Sequence, residues 1–158
     1  MERQYPVTTT VQGLEGLVSL AGRDLGRTDW LEITQERVNT FADATDDHQW
    51  IHTDPEKAQH GPFGGPIAHG YLTLSLIIPM FGDLLEISGI SMSVNYGLEK
   101  VRFPSPVPVG AKIRLHGVVD SVDEVKGNGV QMALTFTVEV EGREKPACVA
   151  RAVYRHYA

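Results

Sequence analysis

The sequence predicts an α+β fold in which a curved antiparallel sheet wraps around one long apolar helix. The helix is predicted over residues 68–81, where apolar side chains occupy nearly every side of the helical turn, so we expect it to be buried on every side. The sheet is predicted from the second half of the chain, where apolar and polar residues alternate with a period of two. The helix needs a cover and the sheet needs something to bury its apolar face, so we expect the two to pack together.

Short elements are predicted before this helix. An amphipathic helix is predicted over residues 10–20, inside an N-terminal helical extension that we assign to residues 1–27. A strand is predicted over residues 28–33, and Thr34 is a suitable N-cap for the helix that follows it. Residues 46–53 are polar and lack a period, which predicts a loop.

Prolines and glycines mark the next boundaries. Asp54 and Pro55 are typical of a helix start, with a carboxylate as the cap and proline at the first helical position. That helix is predicted to be short because the glycines and prolines of residues 61–66 cannot continue it. Pro79 lacks the backbone N–H that a helix interior needs, and we expect it to kink or end the apolar helix.

Four long strands are predicted after the apolar helix. They cover residues 92–103, 113–119, 132–140 and 147–157, with turns at residues 127–129 and 141–143. A sheet of this kind leaves free edges, and two copies paired edge to edge would extend it. We therefore expect a homodimer.

The composition excludes several functional classes. The chain has 158 residues, which predicts a single domain over residues 1–158, and its net charge of -6 without a basic stripe predicts no nucleic-acid partner. Cys148 is the only cysteine, so no intrachain disulfide is expected and a cytoplasmic location is predicted. The first residues lack the apolar core of a signal peptide, and residues 67–81 are too short and interrupted for membrane insertion.

The most informative stretch of the sequence places Asp47 and His52 five residues apart, with His69 and Gly70 following at the start of the apolar helix. A carboxylate, an imidazole and a free backbone N–H are the groups needed to move a proton beside a carbonyl. The alternative is structural, because Asp47 could cap a turn and His52 could bond to the backbone of its loop.

Three segments together resemble the MaoC-like, (R)-specific enoyl-CoA hydratases, which have the hotdog fold. They are residues 47–52, the helix start at residues 54–58, and residues 66–70. Residues 95–97, 100–104 and 107–110 look most like the nodulation protein N-like branch, and the resemblance extends from Trp30 to the C-terminus.

One position departs from this family's pattern, which has Asn-Pro where this chain has Gln49-Trp50. Gln49 can still hold the loop by hydrogen bonding. Trp50 cannot supply the fixed backbone angle of proline, so the loop must be held in another way, such as packing of the indole.

The resemblance implies the reversible addition of water to a trans-2-enoyl-CoA, which yields a (3R)-3-hydroxyacyl-CoA. It implies that Asp47 activates the water, that His52 orients this water and is a candidate acid, and that the Gly70 N–H stabilises the thioester oxygen. An acyl-CoA substrate is expected, and no cofactor beyond the CoA of the substrate.

Four further residues are assigned to substrate binding, namely Gln49, His69, Asn95 and Tyr96. For three of these residues a structural role is also open. His69 could orient the loop at the helix entrance, while Asn95 and Tyr96 could pack within their strand.

Three rival functions remain open at this point. A hotdog thioesterase would hydrolyse the acyl-CoA, and a non-catalytic module would only bind it. A metal site is the third, but the spacing of His48, His52, His60 and His69 matches no compact zinc pattern and no cysteine supports one. We predict no metal.

Overall fold

The computed structural model describes residues 8–158, so the first seven residues, on which the absence of a signal peptide was judged, lie outside the described residues. The elements are β1 (Thr9–Gln12), α1 (Gly13–Val18), β2 (Asp24–Arg27), β3 (Leu31–Glu32), α2 (Gln35–Thr45), α3 (Trp50–Thr53), α4 (Pro55–Gln59), α5 (Gly70–Ser75), α6 (Ile77–Leu84), β4 (Leu85–Ser88), β5 (Met92–Arg102), β6 (Lys112–Val125), β7 (Gly129–Val140) and β8 (Cys148–Tyr157).

The main sheet is antiparallel and has the strand order β2-β6-β7-β8-β5, with β3 also paired to β6. Its four long strands are those that the alternating pattern predicts, so the predicted α+β class is confirmed. A second, two-stranded sheet pairs β1 with β4 in parallel. The strand β5 forms one edge of the main sheet.

One face of the main sheet packs on the helix pair α5 and α6. Along β7 the alternate residues Met132, Leu134, Phe136 and Val138 are buried, and they form one core with residues from α1 to β8. On the neighbouring strand a Cβ on Gly117 would lie 3.3 Å from an atom of Leu84. The helix therefore approaches the sheet closely at a glycine.

The apolar helix differs from its prediction in two respects. It begins at Gly70, is interrupted at Leu76 and ends at Leu84, because Pro79 offers no N–H to the carbonyl of Ser75 and its ring crowds that carbonyl. The prediction that it is buried on every side is wrong, since Tyr71 and Ile78 are exposed. One face of the helix pair is open in the single chain.

The N-terminal prediction is also corrected. The helix expected over residues 10–20 forms only from Gly13 to Val18, and β1 precedes it because Thr9, Thr10 and Val11 are β-branched and pair with β4. The part of the extension over residues 8–27 that the structure describes is thus not wholly helical, and β2 joins the main sheet. The strand expected over residues 28–33 shortens to the two residues of β3.

Both predicted helix caps are confirmed. The Thr34 side chain accepts a hydrogen bond from the N–H of Arg37 at 3.2 Å, and the Asp54 carboxylate accepts one from Lys57 at 3.0 Å. The predicted loop over residues 46–53 differs in its second half, which forms α3. None of the helices formed by residues 8–158 is long and apolar enough to cross a membrane.

Candidate active site

The Asp47 loop begins where α2 ends. Asp46 adopts a left-handed conformation with φ of 59°, which an aspartate tolerates better than most residues and which turns the chain away from the helix. The Asp47 carboxylate then accepts a hydrogen bond from the N–H of Gln49 at 3.4 Å. Gln49 caps α3 with its backbone, and its side chain forms no capping bond. Asp47 therefore stands one short turn before the helix that carries His52.

His52 is buried, and one of its ring nitrogens is already engaged. Its Nδ1 lies 2.6 Å from the carbonyl oxygen of Ile67, and its own carbonyl accepts a bond from the Gln35 amide at 2.8 Å. A carbonyl can only accept, so Nδ1 carries the hydrogen and Nε2 keeps a free lone pair. The ring is fixed in one tautomer and one orientation.

His69 connects the loop to the start of α5. Its Nε2 donates to the carbonyl oxygen of Asp47 at 3.0 Å, and its ring stacks on that of His52 with centroids 3.9 Å apart and planes at 26°. The ring of Phe41 packs beside it at 4.9 Å. The Nδ1 of His69 is buried and has no partner among residues 8–158. These contacts favour the loop-orienting role for His69.

Burial sets the charge state of His52. Removal of the ring from water lowers its pKa below the ordinary value of 6.5, and the neighbouring His69 acts in the same direction. The hydrogen bond to Ile67 and the Asp47 carboxylate oppose this change without cancelling it. The imidazole is therefore neutral at neutral pH, with the Nε2 lone pair available.

The three side chains of Asp47, His52 and His69 converge. One carboxylate oxygen and one nitrogen from each ring lie within 4.8 Å of one another. A metal ion would need lone pairs that point at one centre, whereas the lone pairs of stacked rings lie in two separate, nearly parallel planes and each ring already donates to a carbonyl. The cluster suits a bridging water, since two hydrogen bonds of about 2.8 Å span such a separation.

Gly70 is the first residue of α5, so its N–H has no acceptor within the helix. It lines a cleft of about 340 Å³ together with His52. A Cβ at this position would contact the ring of Phe103 at 3.4 Å, so the glycine keeps the backbone accessible beside that ring. The cleft thus presents a free N–H at a helix N-terminus next to a buried imidazole.

The remaining assigned residues do not join this cluster. Asn95 lines a different cleft, between the helix pair and strands β5 and β8. The guanidinium of Arg155 lies over the ring of Tyr96, 3.7 Å from its centroid. A substrate-binding role for Asn95 and Tyr96 stays a prediction, and so does one for the exposed side chain of Gln49.

Trp50 replaces the expected proline and is held by packing. A Cβ on Gly61 would lie 2.9 Å from the indole, and the Lys57 ammonium lies 4.8 Å from the ring centroid. The indole therefore fills the space between α3 and the turn after α4.

The structure also contains residues that the sequence did not single out, above all the Ile67 carbonyl that orients His52 and the buried Thr73 in the cleft. The available signal for Thr73 was a polar residue placed between two leucines of the apolar helix.

Comparison with known proteins agrees with this geometry. A MaoC like domain matches residues 17–141. The 3-hydroxyacyl-thioester dehydratase Z of Mycobacterium tuberculosis is 48% identical over 149 residues, which cover 94% of this chain and 99% of that protein. Nodulation protein N of Rhizobium leguminosarum bv. viciae is 43% identical over 87% of this chain and 86% of its own.

A solved structure extends the comparison to three dimensions. The (R)-hydratase from A. caviae involved in PHA biosynthesis superposes with a TM-score of 0.67 and 25% identity, covering 85% of this chain and 94% of that one. The antiparallel sheet packed on a central helix pair in this chain is the hotdog fold. Fold, motif and sequence identity agree, and the chain belongs to the MaoC-like dehydratase domain family.

Proposed function

We propose that this chain is an (R)-specific enoyl-CoA hydratase and 3-hydroxyacyl-CoA dehydratase, a hydro-lyase that adds water reversibly to trans-2-enoyl thioesters. The observation that carries the proposal is the Asp47 carboxylate within 4.8 Å of a His52 ring nitrogen, with the His52 ring and the Gly70 N–H lining one cleft. Similarity to a relative named as a 3-hydroxyacyl-thioester dehydratase supports the reaction class, and similarity to an (R)-hydratase supports the stereochemistry.

In this mechanism Asp47 and His52 hold one water between them. The neutral His52 accepts a hydrogen bond from the water at Nε2, because Nδ1 is committed to Ile67. The carboxylate accepts the other hydrogen of the water, and the water oxygen is thereby directed at C3 of the enoyl group. The lowered pKa of His52 favours this acceptor role over the role of acid.

In the proposed reaction the Asp47 carboxylate both receives the water proton and passes it on to the substrate. As the C3–O bond forms, the water proton passes to Asp47 and the C2–C3 π electrons move toward the thioester. The protonated carboxyl then delivers the same proton to C2, which regenerates the carboxylate. Dehydration is the reverse sequence, with Asp47 removing the C2 proton and returning it to the departing hydroxyl.

Gly70 stabilises the charge that develops on the thioester oxygen. Its free N–H points out of a helix N-terminus, where the helix dipole also favours negative charge. The reaction needs no redox or electron-sink group, so we propose that CoA enters only as part of the substrate.

We further propose that the working unit is a homodimer. Strand β5 is an edge of the main sheet, and the apolar residues Met92, Tyr96 and Leu98 are exposed along it. On the helix pair Tyr71 and Ile78 are exposed as well. A second copy that pairs along β5 would extend the sheet and cover these side chains.

The test is turnover of crotonyl-CoA by the purified chain, followed at once by enone absorbance and by free thiol. We expect loss of enone absorbance without thiol release, and a (3R)-hydroxyacyl product on chiral analysis. Thiol release with the enone intact would instead identify a thioesterase. A series of longer enoyl-CoA substrates then gives the preferred acyl length.

A further inference from the structure

One polar side chain in the cleft has no part in the mechanism above. Thr73 lies three residues after Gly70 on α5, is only 2% exposed, and lines the same cleft as His52 and Gly70. It is also a hydroxyl residue in a helix whose neighbouring positions are apolar. Burying a hydroxyl without a hydrogen-bond partner costs free energy, so a partner is expected.

The hydroxyl of Thr73 forms no hydrogen bond with the described residues. Thr40, Thr45 and Ser75 each donate to the carbonyl four residues earlier, at 2.9, 2.8 and 2.7 Å. Thr73 makes no such bond. Within residues 8–158, its oxygen is also not one of the polar atoms that are shut off from solvent and lack a hydrogen-bond partner, so it keeps some access to solvent. The hydroxyl therefore faces the open space of the cleft.

The other polar groups of the cleft are largely occupied. The Ser105 hydroxyl donates to the carbonyl of Pro146 at 2.9 Å, and His52 Nδ1 is committed to Ile67. Among the described residues that line the cleft, the side-chain atoms left without a hydrogen bond are His52 Nε2 and the Thr73 hydroxyl, and the Gly70 N–H has no acceptor within its helix. His52 is assigned to the water, which leaves two donors for the thioester.

Helix geometry brings these two donors toward one point. Residues three apart share a face of a helix, and each Cα–Cβ bond tilts toward the helix N-terminus. The side chain of Thr73 therefore leans back over the turn that begins at Gly70. An oxygen bound at the Gly70 N–H lies at that turn, beside the Thr73 hydroxyl.

We propose that the Thr73 hydroxyl is a second hydrogen-bond donor to the thioester carbonyl oxygen, acting together with the Gly70 N–H. The assignment rests on the proposed function, because it places the acyl thioester in this cleft. The donor bond strengthens as negative charge develops on that oxygen, so its main effect is on kcat rather than on KM.

The kinetic test uses Thr73→Val, which keeps the side-chain shape but removes the hydroxyl, and Thr73→Ser, which keeps the hydroxyl. We expect Thr73→Val to lower kcat about 10²-fold while KM rises no more than several-fold, and Thr73→Ser to stay within a few-fold of wild type in both constants. The thermal midpoint of ligand-free Thr73→Val should not fall, because no internal hydrogen bond is lost. Unchanged kcat in Thr73→Val, or an equal loss in both variants, would overturn the assignment.

A binding test separates donation to the carbonyl from simple packing. Butyryl-CoA carries the thioester oxygen, whereas the thioether S-butyl-CoA lacks it. We expect Thr73→Val to weaken butyryl-CoA binding several-fold and to leave S-butyl-CoA binding unchanged, as measured by calorimetry. Equal weakening of both ligands rejects the donor role. If the wild-type chain turned over no enoyl thioester, the proposed function would fail, while this affinity ratio would still decide the role of Thr73.

Discussion

The tasks proposed for Asp47 and His52 differ because the surroundings of the two residues differ. The Asp47 side chain is 51% exposed at the loop, while His52 is 7% exposed and fixed by the Ile67 carbonyl. A solvated carboxylate can take up and release a proton, whereas a buried neutral ring serves as a fixed acceptor. The proposed difference in role between the two residues follows from the fold around each of them.

Asp47→Asn should abolish most of the activity without loss of the fold. The amide keeps an oxygen that can accept the N–H of Gln49, so the turn is retained, but it cannot accept the water proton. We expect kcat for crotonyl-CoA hydration to fall about 10²–10⁴-fold. Steady-state kinetics and circular dichroism of the same preparation check both halves of this prediction.

Asp46→Asn is the matched control because it makes the same chemical change one residue earlier. Asp46 is exposed and left-handed, and asparagine also tolerates that conformation. Its activity should stay close to wild type. A comparable loss in both variants would mean that loop charge, rather than a base at position 47, controls the rate.

The sequence predicted the chemical groups of the site better than their arrangement. Asp47, His52 and Gly70 were available from the spacing and the family resemblance. The stacking of His69 on His52 was not, because it depends on how α2, α3 and α5 meet in space. Asn95 lines another cleft and Tyr96 lies under Arg155, so their substrate-binding role stays a prediction.

At the scale of elements, α3 is held by a contact that substitutes for the missing proline. Its N-cap, Gln49, provides only backbone bonds, while the Trp50 indole packs against the turn at Gly61. The glycine at position 61 leaves the space that the indole occupies. Trp50 and Gly61 therefore form a coupled pair that positions the His52 helix.

Gly61→Ala should destabilise the protein by about 1–3 kcal/mol, because the new methyl group would press on the indole. Adding Trp50→Phe removes the indole atoms nearest to the methyl and should recover part of this loss, beyond what additivity of the single changes predicts. Urea unfolding of the wild type, both single variants and the double variant measures the coupling.

Gly65→Ala is the control for that cycle. It lies in the same glycine-rich turn, a Cβ at this position would have no atom within 4 Å, and its backbone is not left-handed. Its stability should change by no more than about 0.5 kcal/mol. If Gly65→Ala lowered the free energy of unfolding as much as Gly61→Ala, the effect would belong to the turn backbone. If the effects of Gly61→Ala and Trp50→Phe were additive, the two residues would not be coupled.

Elements with a strong period were predictable, and short ones were not. The strands β6 to β8 show clear alternation, β5 was predictable as a long extended run ended by prolines, and Thr34 and Asp54 are typical caps. The strands β1, β2 and β4 have four residues each, too few to show a period, and exist because partners elsewhere in the chain pair with them. The break at Leu76 follows from Pro79, although the pattern alone did not locate the residue at which it falls.

At the scale of the whole molecule, the open edge of β5 is the surface along which the proposed homodimer would pair. Leu98→Lys places a charge on this edge, at an apolar side chain that is 46% exposed in the single chain. In a dimer paired along β5 two such charges would approach each other and lose water. We expect the dimer dissociation constant to rise at least tenfold, about 1.4 kcal/mol, in sedimentation equilibrium.

Val18→Lys controls for the general effect of a new surface lysine. Val18 is an equally exposed apolar residue on α1, outside β5 and the helix pair. It should leave the dissociation constant unchanged. Equal weakening by both variants, or a wild-type monomer at all concentrations, would contradict pairing along β5.

Two of the buried histidines, His52 and His156, are expected to make the stability of the fold depend on pH. Burial lowers the pKa of His156 below 6.5, as it does for His52. The Nδ1 of His156 bonds to the Ser93 hydroxyl at 2.8 Å, and its Nε2 is buried without a partner among residues 8–158. In the unfolded chain both rings regain water and bind protons at their ordinary pKa.

The unfolded state therefore binds more protons than the folded state once the pH falls below about 6.5, and stability decreases as the pH falls. Each linked proton changes the free energy of unfolding by at most about 1.4 kcal/mol per pH unit. The stabilisation is fully present above pH 6.5 and is lost as the pH falls toward the folded-state pKa.

His156→Asn should reduce this pH dependence of the free energy of unfolding, measured by urea unfolding between neutral and acidic pH, whatever its effect at neutral pH. His60→Asn changes an exposed histidine and should leave the slope as in wild type. A slope that His156→Asn does not alter would show that protonation of this ring is not linked to unfolding.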